Sequence, residues 1–221
     1  MVLTIGLGRQ AAKVYRFLSR AYLQPPDRPY LEAVAAWSAE LLACREPLPE
    51  GIVSALELIQ EALKPGVERR LRELQQEYVR LFRGLSPHYS PPPPYESVYR
   101  EGALWGFSTA AVRRRYREFG LESGGDFSRE PPDQLGLELQ FMSHLCERGA
   151  HERSQHLLQA QHDFLVEHLS WVGAFEERVR SHRPHPFYEG FLRLTGAWLK
   201  LHREHLAAFQ KTTRSLESES G

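Results

Sequence analysis

The chain has 221 residues, 42% of them hydrophobic and 11% aromatic, and its 28 Lys and Arg are balanced by 28 Asp and Glu. That length suits one large helical domain with a substantial core, and the composition excludes a disordered chain. With no net charge there is no long-range field favouring nucleic acid or an anionic membrane, so only local patches could serve such partners.

The first apolar run, residues 2–7, has no basic residue before it and is cut short at Arg9 and Gln10, so it does not read as a signal peptide. No apolar stretch approaches the roughly 20 residues that a membrane span needs, and a cytoplasmic protein is expected. Residues 10–22 carry Ala11, Val14, Tyr15, Leu18 and Tyr22 at helical spacing, ended by Pro25-Pro26. A second helix begins near Pro29 and runs to about Cys44, and a third covers residues 50–63 before Pro65-Gly66. Residues 67–83 form the most sharply patterned helix: Val67, Leu71, Leu74, Tyr78, Leu81 and Phe82 share one arc and the other face is charged.

The helical period is lost over residues 85–107, where five prolines impose extended geometry. This segment is expected to be irregular and to pack as a rigid wall against the Tyr78 to Phe82 helix end and the Asp133 helix. Ser108 or Thr109 is placed to cap a helix reaching Phe119. A Gly-rich break at residues 123–126 leads to Glu130-Pro131-Pro132-Asp133. Further helices are expected at 133–148, at 151–182 (continuous or broken near Val166) and at 186–210, with a frayed tail over residues 212–221. No useful strand alternation is present, so the fold class is all-α, a single domain over residues 1–211.

Chemistry-bearing residues are few. Cys44 and Cys146 are far apart without a CxxC spacing and read as reduced core thiols. His144, His151, His156, His162 and His168 lack metal-ligand spacing and read as surface or half-buried side chains. His162-Asp163 matches the pair of HD-type metal-dependent phosphohydrolases, but no aspartate follows it; that enzyme class stands as the alternative reading. Gly-rich phosphate loops and GxSxG elbows are absent. Arg113-Arg114-Arg115 reads as a solvated helix face, or alternatively as an anionic docking patch. Glu138 lies on an apolar face, where a carboxylate is costly unless paired, so either an internal partner or a cation on a ligand is expected to meet it.

Four segments, in order, resemble the TorD/DmsD/NarJ family of chaperones for molybdenum oxidoreductases. They are Glu77-Tyr78-Val79-Arg80-Leu81-Phe82; Pro93-Pro94-Tyr95-Glu96-Ser97-Val98-Tyr99 with Gly106-Phe107-Ser108-Thr109; Glu130-Pro131-Pro132-Asp133-Gln134-Leu135 with Glu138; and Phe164 to Trp171 followed by Phe175 and Pro186-Phe187-Tyr188. Gln134 stands where the family usually has His, so a role for that His does not carry over, although Gln also donates and accepts hydrogen bonds. The resemblance covers residues 78–201 well, and residues before 67 only through their helical pattern.

The resemblance implies an all-helical chaperone domain, monomeric or a domain-swapped homodimer, with no catalytic residues and no cofactor of its own. Its implied partner is the apo catalytic subunit of a molybdopterin oxidoreductase, held at its twin-arginine signal peptide or N-terminal region before export. Such a peptide carries two guanidiniums followed by an apolar run and calls for carboxylates beside an apolar groove. Glu130, Asp133 and Glu138 are the candidates for the first, Tyr78, Leu81, Phe82 and Tyr95 for the second, with Gly106 and Gln134 completing the site.

Overall fold

The computed structural model describes residues 8–45, 47–84, 89–121, 130–152 and 154–219. The run at residues 2–7, the break at 123–126, residues 85–88 of the Pro-rich segment and residues 220–221 of the expected tail lie outside these. Among the described residues ten helices follow one another: α1 Arg9–Leu23, α2 Arg28–Leu42, α3 Glu50–Leu63, α4 Val67–Phe82, α5 Glu96–Glu101, α6 Phe107–Glu118, α7 Leu135–Glu152, α8 Gln155–Glu167, α9 Val172–Ser181 and α10 Pro186–Glu219. Among the described residues there is no strand, only an isolated antiparallel bridge between Tyr95 and Gln134, and the all-α class stands. None of the described helices is long and apolar enough to cross a membrane.

The core is organised around α1, which packs on α7 and also meets α10, while α10 lies along α3. Tyr15, Leu18 and Tyr22 of α1 are buried, as are Leu135, Leu139, Met142 and Leu145 of α7 and Phe191, Trp198 and Leu206 of α10. Polar groups inside this core are paired across helices. The Tyr15 hydroxyl meets His202 Nδ1 at 2.7 Å, the Tyr22 hydroxyl meets Thr195 Oγ1 at 2.8 Å, and Ser143 donates to the Ala12 carbonyl at 2.8 Å. Gly190 lets α10 approach α3: a Cβ there would stand 2.6 Å from Ile59 Cγ1 and 2.9 Å from the Ala55 carbonyl.

The structure departs from the sequence reading at several places, each with a physical cause. Within the segment expected to be irregular, residues 96–101 form α5, because Asp133 supplies its N-terminal acceptors from 36 residues away. Ser108 and Thr109 do not cap α6 but lie inside it; the Glu101 carboxylate accepts the Ser108 amide at 2.9 Å and its hydroxyl as well, taking the capping role. The break between α8 and α9 falls at His168 to Trp171, where Arg100 donates at 2.7 Å to both the Glu167 carbonyl and Ser170 Oγ. Cys146 is buried as expected, whereas Cys44 is exposed just past the end of α2. His168 is buried, not at the surface. Helix α10 continues through residues 212–219, since no Pro or Gly interrupts it between Gly196 and Gly221.

His202 gives the core a pH response. Burial, then the nearby His205, push its pKa from 6.5 to about 3, so the folded protein keeps it neutral. The unfolded chain protonates it below pH 6.5, hence its contribution to stability is complete above that pH and is lost as pH falls toward about 3. His202→Gln keeps an acceptor for Tyr15 but does not titrate. In denaturant titrations over this window, the stability of the wild type should fall by up to about 1.4 kcal/mol per pH unit more than that of His202→Gln; parallel slopes would contradict the assignment.

Candidate functional site

The candidate residues gather where the end of α4, the strand-like residues 91–95, α5 and the start of α7 meet. Residues 94–97 and 131–135 run side by side as a short main-chain ladder. The Glu96 amide donates to the Asp133 carbonyl and the Leu135 amide to the Pro94 carbonyl, each at 2.9 Å. Pro93 packs on the α4 stop, its Cδ 3.0 Å from where a Cβ of Gly84 would be. The expected packing of the Pro-rich segment against both the α4 end and the Asp133 region is thus present over its described part.

Most of the candidates are interior. Tyr78, Leu81, Phe82, Asp133, Gln134 and Glu138 are all buried. Phe82 is ringed by Tyr22, Tyr78, Phe175 and Tyr188, with ring centroids 5.3 to 6.1 Å away. Leu81 and Phe82 are therefore core residues, not an open groove, because the apolar arc that marked them in the sequence is the arc that faces the bundle.

Asp133 and Gln134 are buried connectors. Asp133 Oδ2 accepts the Ser97 amide at 2.9 Å, capping α5. Gln134 Nε2 donates to the Tyr22 carbonyl at 2.8 Å while its Oε1 accepts the Gly136 amide, capping α7 from within. The Tyr78 hydroxyl donates to the same Tyr22 carbonyl at 2.9 Å, so Tyr78 and Gln134 together satisfy the C-terminal end of α1. Burial pushes the Tyr78 hydroxyl up to about 12. A carboxylate at 133 sealed under a helix end is not free to meet a guanidinium from outside, which corrects the ionic role expected of it.

Glu138 meets an internal partner, the first of the two expectations, and that partner is an indole. Its Oε2 accepts the Trp171 indole N–H at 3.1 Å, and the carboxylates of Glu96 and Asp133 act on it as like charges. Burial first, then those two like charges, raise its pKa well above 4.5, so it sheds its charge by keeping a proton instead of finding a cation. Glu96 beside it is held by Arg100 Nε at 2.6 Å and His168 Nδ1 at 3.0 Å.

Three candidates remain reachable from solvent: Tyr95, Glu130 and Gly106. Tyr95 donates its hydroxyl to Glu130 Oε2 at 2.5 Å, and burial followed by this bond raises its pKa. Glu130 Oε1 is taken by Arg83 Nη1 at 3.2 Å, and the Arg83 guanidinium lies 5.7 Å from the Tyr78 ring. Arg83 was missed in the sequence, where it passes for one more charge on a polar helix face. Next to this trio, Val79 and Tyr89 are the exposed apolar side chains near the α4 end, with the Arg80 guanidinium 5.8 Å from the Tyr89 ring. Gly106 is separate from them: it precedes α6, and a Cβ there would collide with the Glu101 carboxylate that caps that helix.

A pH titration distinguishes the two forms of Glu138. Its folded pKa lies above the unfolded value of 4.5, so the unfolded chain releases the proton first. This group therefore weakens the folded state increasingly as pH rises above 4.5, until the folded carboxyl itself ionises. Glu138→Gln retains an acceptor for Trp171 and has no proton to lose, so its denaturation midpoint should gain on the wild type as pH rises above 4.5. Glu138→Leu leaves the indole N–H unpaired and should cost roughly 1 to 3 kcal/mol. A Gln variant that loses ground with rising pH would overturn this account.

Comparison with known proteins places this arrangement. Residues 45–177 match the model of the nitrate reductase delta subunit family. The Tat proofreading chaperone DmsD of Salmonella paratyphi A is 37% identical over 123 residues, covering 55% of this chain and 56% of that one. The chaperone protein TorD of Shewanella pealeana is 28% identical over 159 residues, 67% of each chain, and TorD of Vibrio cholerae O1 El Tor is 33% identical over 126 residues, 54% and 57%. The match thus spans little more than half the length of the DmsD relative, and the relatives named here are chaperones rather than enzymes. A crystal structure of a proposed redox enzyme maturation protein from Archaeoglobus fulgidus superposes with a TM-score of 0.50 at 24% identity, covering 89% of this chain and 93% of that one, a likeness of fold. The chain belongs to the nitrate reductase delta subunit family, the TorD/NarJ group that its four motifs resemble.

Proposed function

We propose that this protein is a cytoplasmic chaperone that holds the catalytic subunit of a molybdopterin oxidoreductase at its twin-arginine signal peptide or N-terminal region during cofactor insertion. What supports the reading, beyond family membership, is the solvent-reachable Glu130 carboxylate. It sits between the Tyr95 hydroxyl and the Arg83 guanidinium, with Val79 exposed one turn before Arg83 and Tyr89 exposed beside Arg80.

Arg83 occupies the position that a client guanidinium would take. Its pair with Glu130 is partly exposed, and such pairs contribute little, about 0 to 1 kcal/mol, so a client arginine could displace it. The apolar stretch of the client then meets Val79 and Tyr89 instead of the buried Leu81 and Phe82. Asp133, Gln134 and Glu138 support the site from below without touching the peptide. Gly106 contributes by leaving room for the Glu101 cap.

The HD-type alternative has no comparable support. His162 and Asp163 are half-buried on α8, Asp163 accepts from Gln159 at 2.6 Å, and among the described residues no three His, Cys, Asp or Glu gather into a metal-binding group.

The test uses calorimetric titration of a signal peptide bearing an Arg pair, and its Lys-pair counterpart, into the full chain. Glu130→Gln should weaken binding of the Arg peptide about ten- to a hundredfold, the loss of one charge-assisted bond. Arg83→Gln, which removes the internal occupant, should tighten it. Damage to folding would move both variants in the same direction, whereas competition moves them in opposite ones. If Glu130→Gln leaves affinity unchanged in a folded protein, recognition lies elsewhere on the surface.

A further inference from the structure

One surface lies apart from the Glu130 carboxylate and carries none of the side chains proposed to touch the client. The turn before α6 projects three large apolar side chains: Phe107 is 89% exposed, Trp105 57% and Leu104 47%. Trp105 has φ 64, the left-handed region that bulky residues seldom enter. High exposure of three neighbouring apolar side chains, two of them aromatic, in an otherwise well-buried protein marks a contact surface.

Helix α6 extends the patch. At about 100° per residue, Phe107, Ala110, Arg113, Arg114 and Arg117 share an arc of roughly 120°, and all five are exposed. The opposite face, Ser108, Thr109, Val112 and Tyr116, is buried. The outward arc holds no carboxylate; Glu118 at its edge is taken by Arg115 at 2.8 Å. Among the described residues none of Arg113, Arg114 and Arg117 has a carboxylate partner, and Arg113 instead lies 5.9 Å from the centre of the Trp105 ring. Among the described residues these three arginines therefore stand unneutralised beside a projecting aromatic tip, in a chain whose overall charge is zero.

The geometry points to an anionic lipid surface as the occupant, and we propose that α6 and the Leu104 to Phe107 turn dock this protein reversibly on negatively charged membranes. Projecting aromatic rings beside arginines fit the headgroup layer, where the rings sit at the apolar boundary and guanidiniums meet phosphates. A twin-arginine segment is excluded from this face by like charge, so the surface is separate from the Glu130 site. The proposal does not depend on the function assigned to that site.

The experiment is co-sedimentation of the full chain with vesicles of phosphatidylcholine alone or mixed with phosphatidylglycerol, with tryptophan fluorescence read in parallel. Binding is expected to the anionic vesicles only, to weaken with added salt, and to shift the emission to shorter wavelength. An arginine near such a surface contributes roughly fivefold in partitioning, so Arg113→Gln, Arg114→Gln and Arg117→Gln together should lower it about a hundredfold. Trp105→Ala should abolish the emission shift, and Phe107→Ser should weaken binding. All of these positions are exposed, so circular dichroism and the unfolding midpoint should match the wild type. Absence of binding to anionic vesicles, or binding and an emission shift that the variants leave intact, overturns the proposal. So does a wild type that ignores vesicles while Trp105→Ala and Phe107→Ser impair capture of an oxidoreductase subunit, an outcome that assigns the patch to a protein partner.

Discussion

The carbonyl of Tyr22 is where the architecture is tied. It belongs to the buried last turn of the most central helix, and two donors from distant parts of the chain, the Tyr78 hydroxyl and Gln134 Nε2, converge on it. A buried carbonyl without a donor costs on the order of 1 to 3 kcal/mol, so both α4 and the start of α7 are drawn to one point. Once Gln134 is fixed, the main chain around it pairs with residues 94–96 and Asp133 caps α5. The solvent-reachable trio of Tyr95, Glu130 and Arg83 is thus mounted on a frame of buried hydrogen bonds. Its positions are set by backbone, which loses less freedom than a site built on mobile loops.

The same region shows how carboxylates are accommodated away from water. Asp133 accepts a helix-terminal amide, Glu96 has Arg100 and His168, and Glu138 keeps its proton and accepts from an indole. Three side chains of one chemical kind thus reach three electrostatic solutions within one neighbourhood. The difference lies in what stands opposite each: a helix end, an arginine with a histidine, or other acids.

The all-helical class, the ends of α3 and α4 and the start of α10 were legible because they depend on local rules: apolar period, Pro-Gly stops and a proline in the first turn. What was not legible depends on partners far along the chain. Helix α5 owes its start to Asp133, the α8–α9 break is held by Arg100, and α6 is capped by Glu101, none of which lies next to the residues it organises. The motif residues Tyr78, Tyr95, Glu130 and Gln134 do come together in space. The motifs did not separate side chains that build the region from those that face solvent, because a motif is shared by both kinds. Phe82 and Glu138 are buried in the bundle, and Arg83 was passed over because its partner, Glu130, lies 47 residues away. Gln134 in the position of the usual His is readily understood once its bonds are seen: the position needs one donor and one acceptor, and an amide has both.

Helix α10 has a consequence for how such a chain comes to be folded. Its residues 191–202 supply the far side of α1, through Tyr22 to Thr195 across 173 positions and Tyr15 to His202 across 187. Chains emerge from the ribosome N-terminus first, at about 5 to 20 residues per second, so α1 is made roughly ten seconds or more before the helix that covers it. Until then the aromatic side of α1 has only partial cover. Contacts this remote in sequence also slow closure, because the intervening loop entropy is lost before they form. A growing chain of this kind is therefore itself vulnerable to unwanted association during synthesis until α10 has emerged to cover α1.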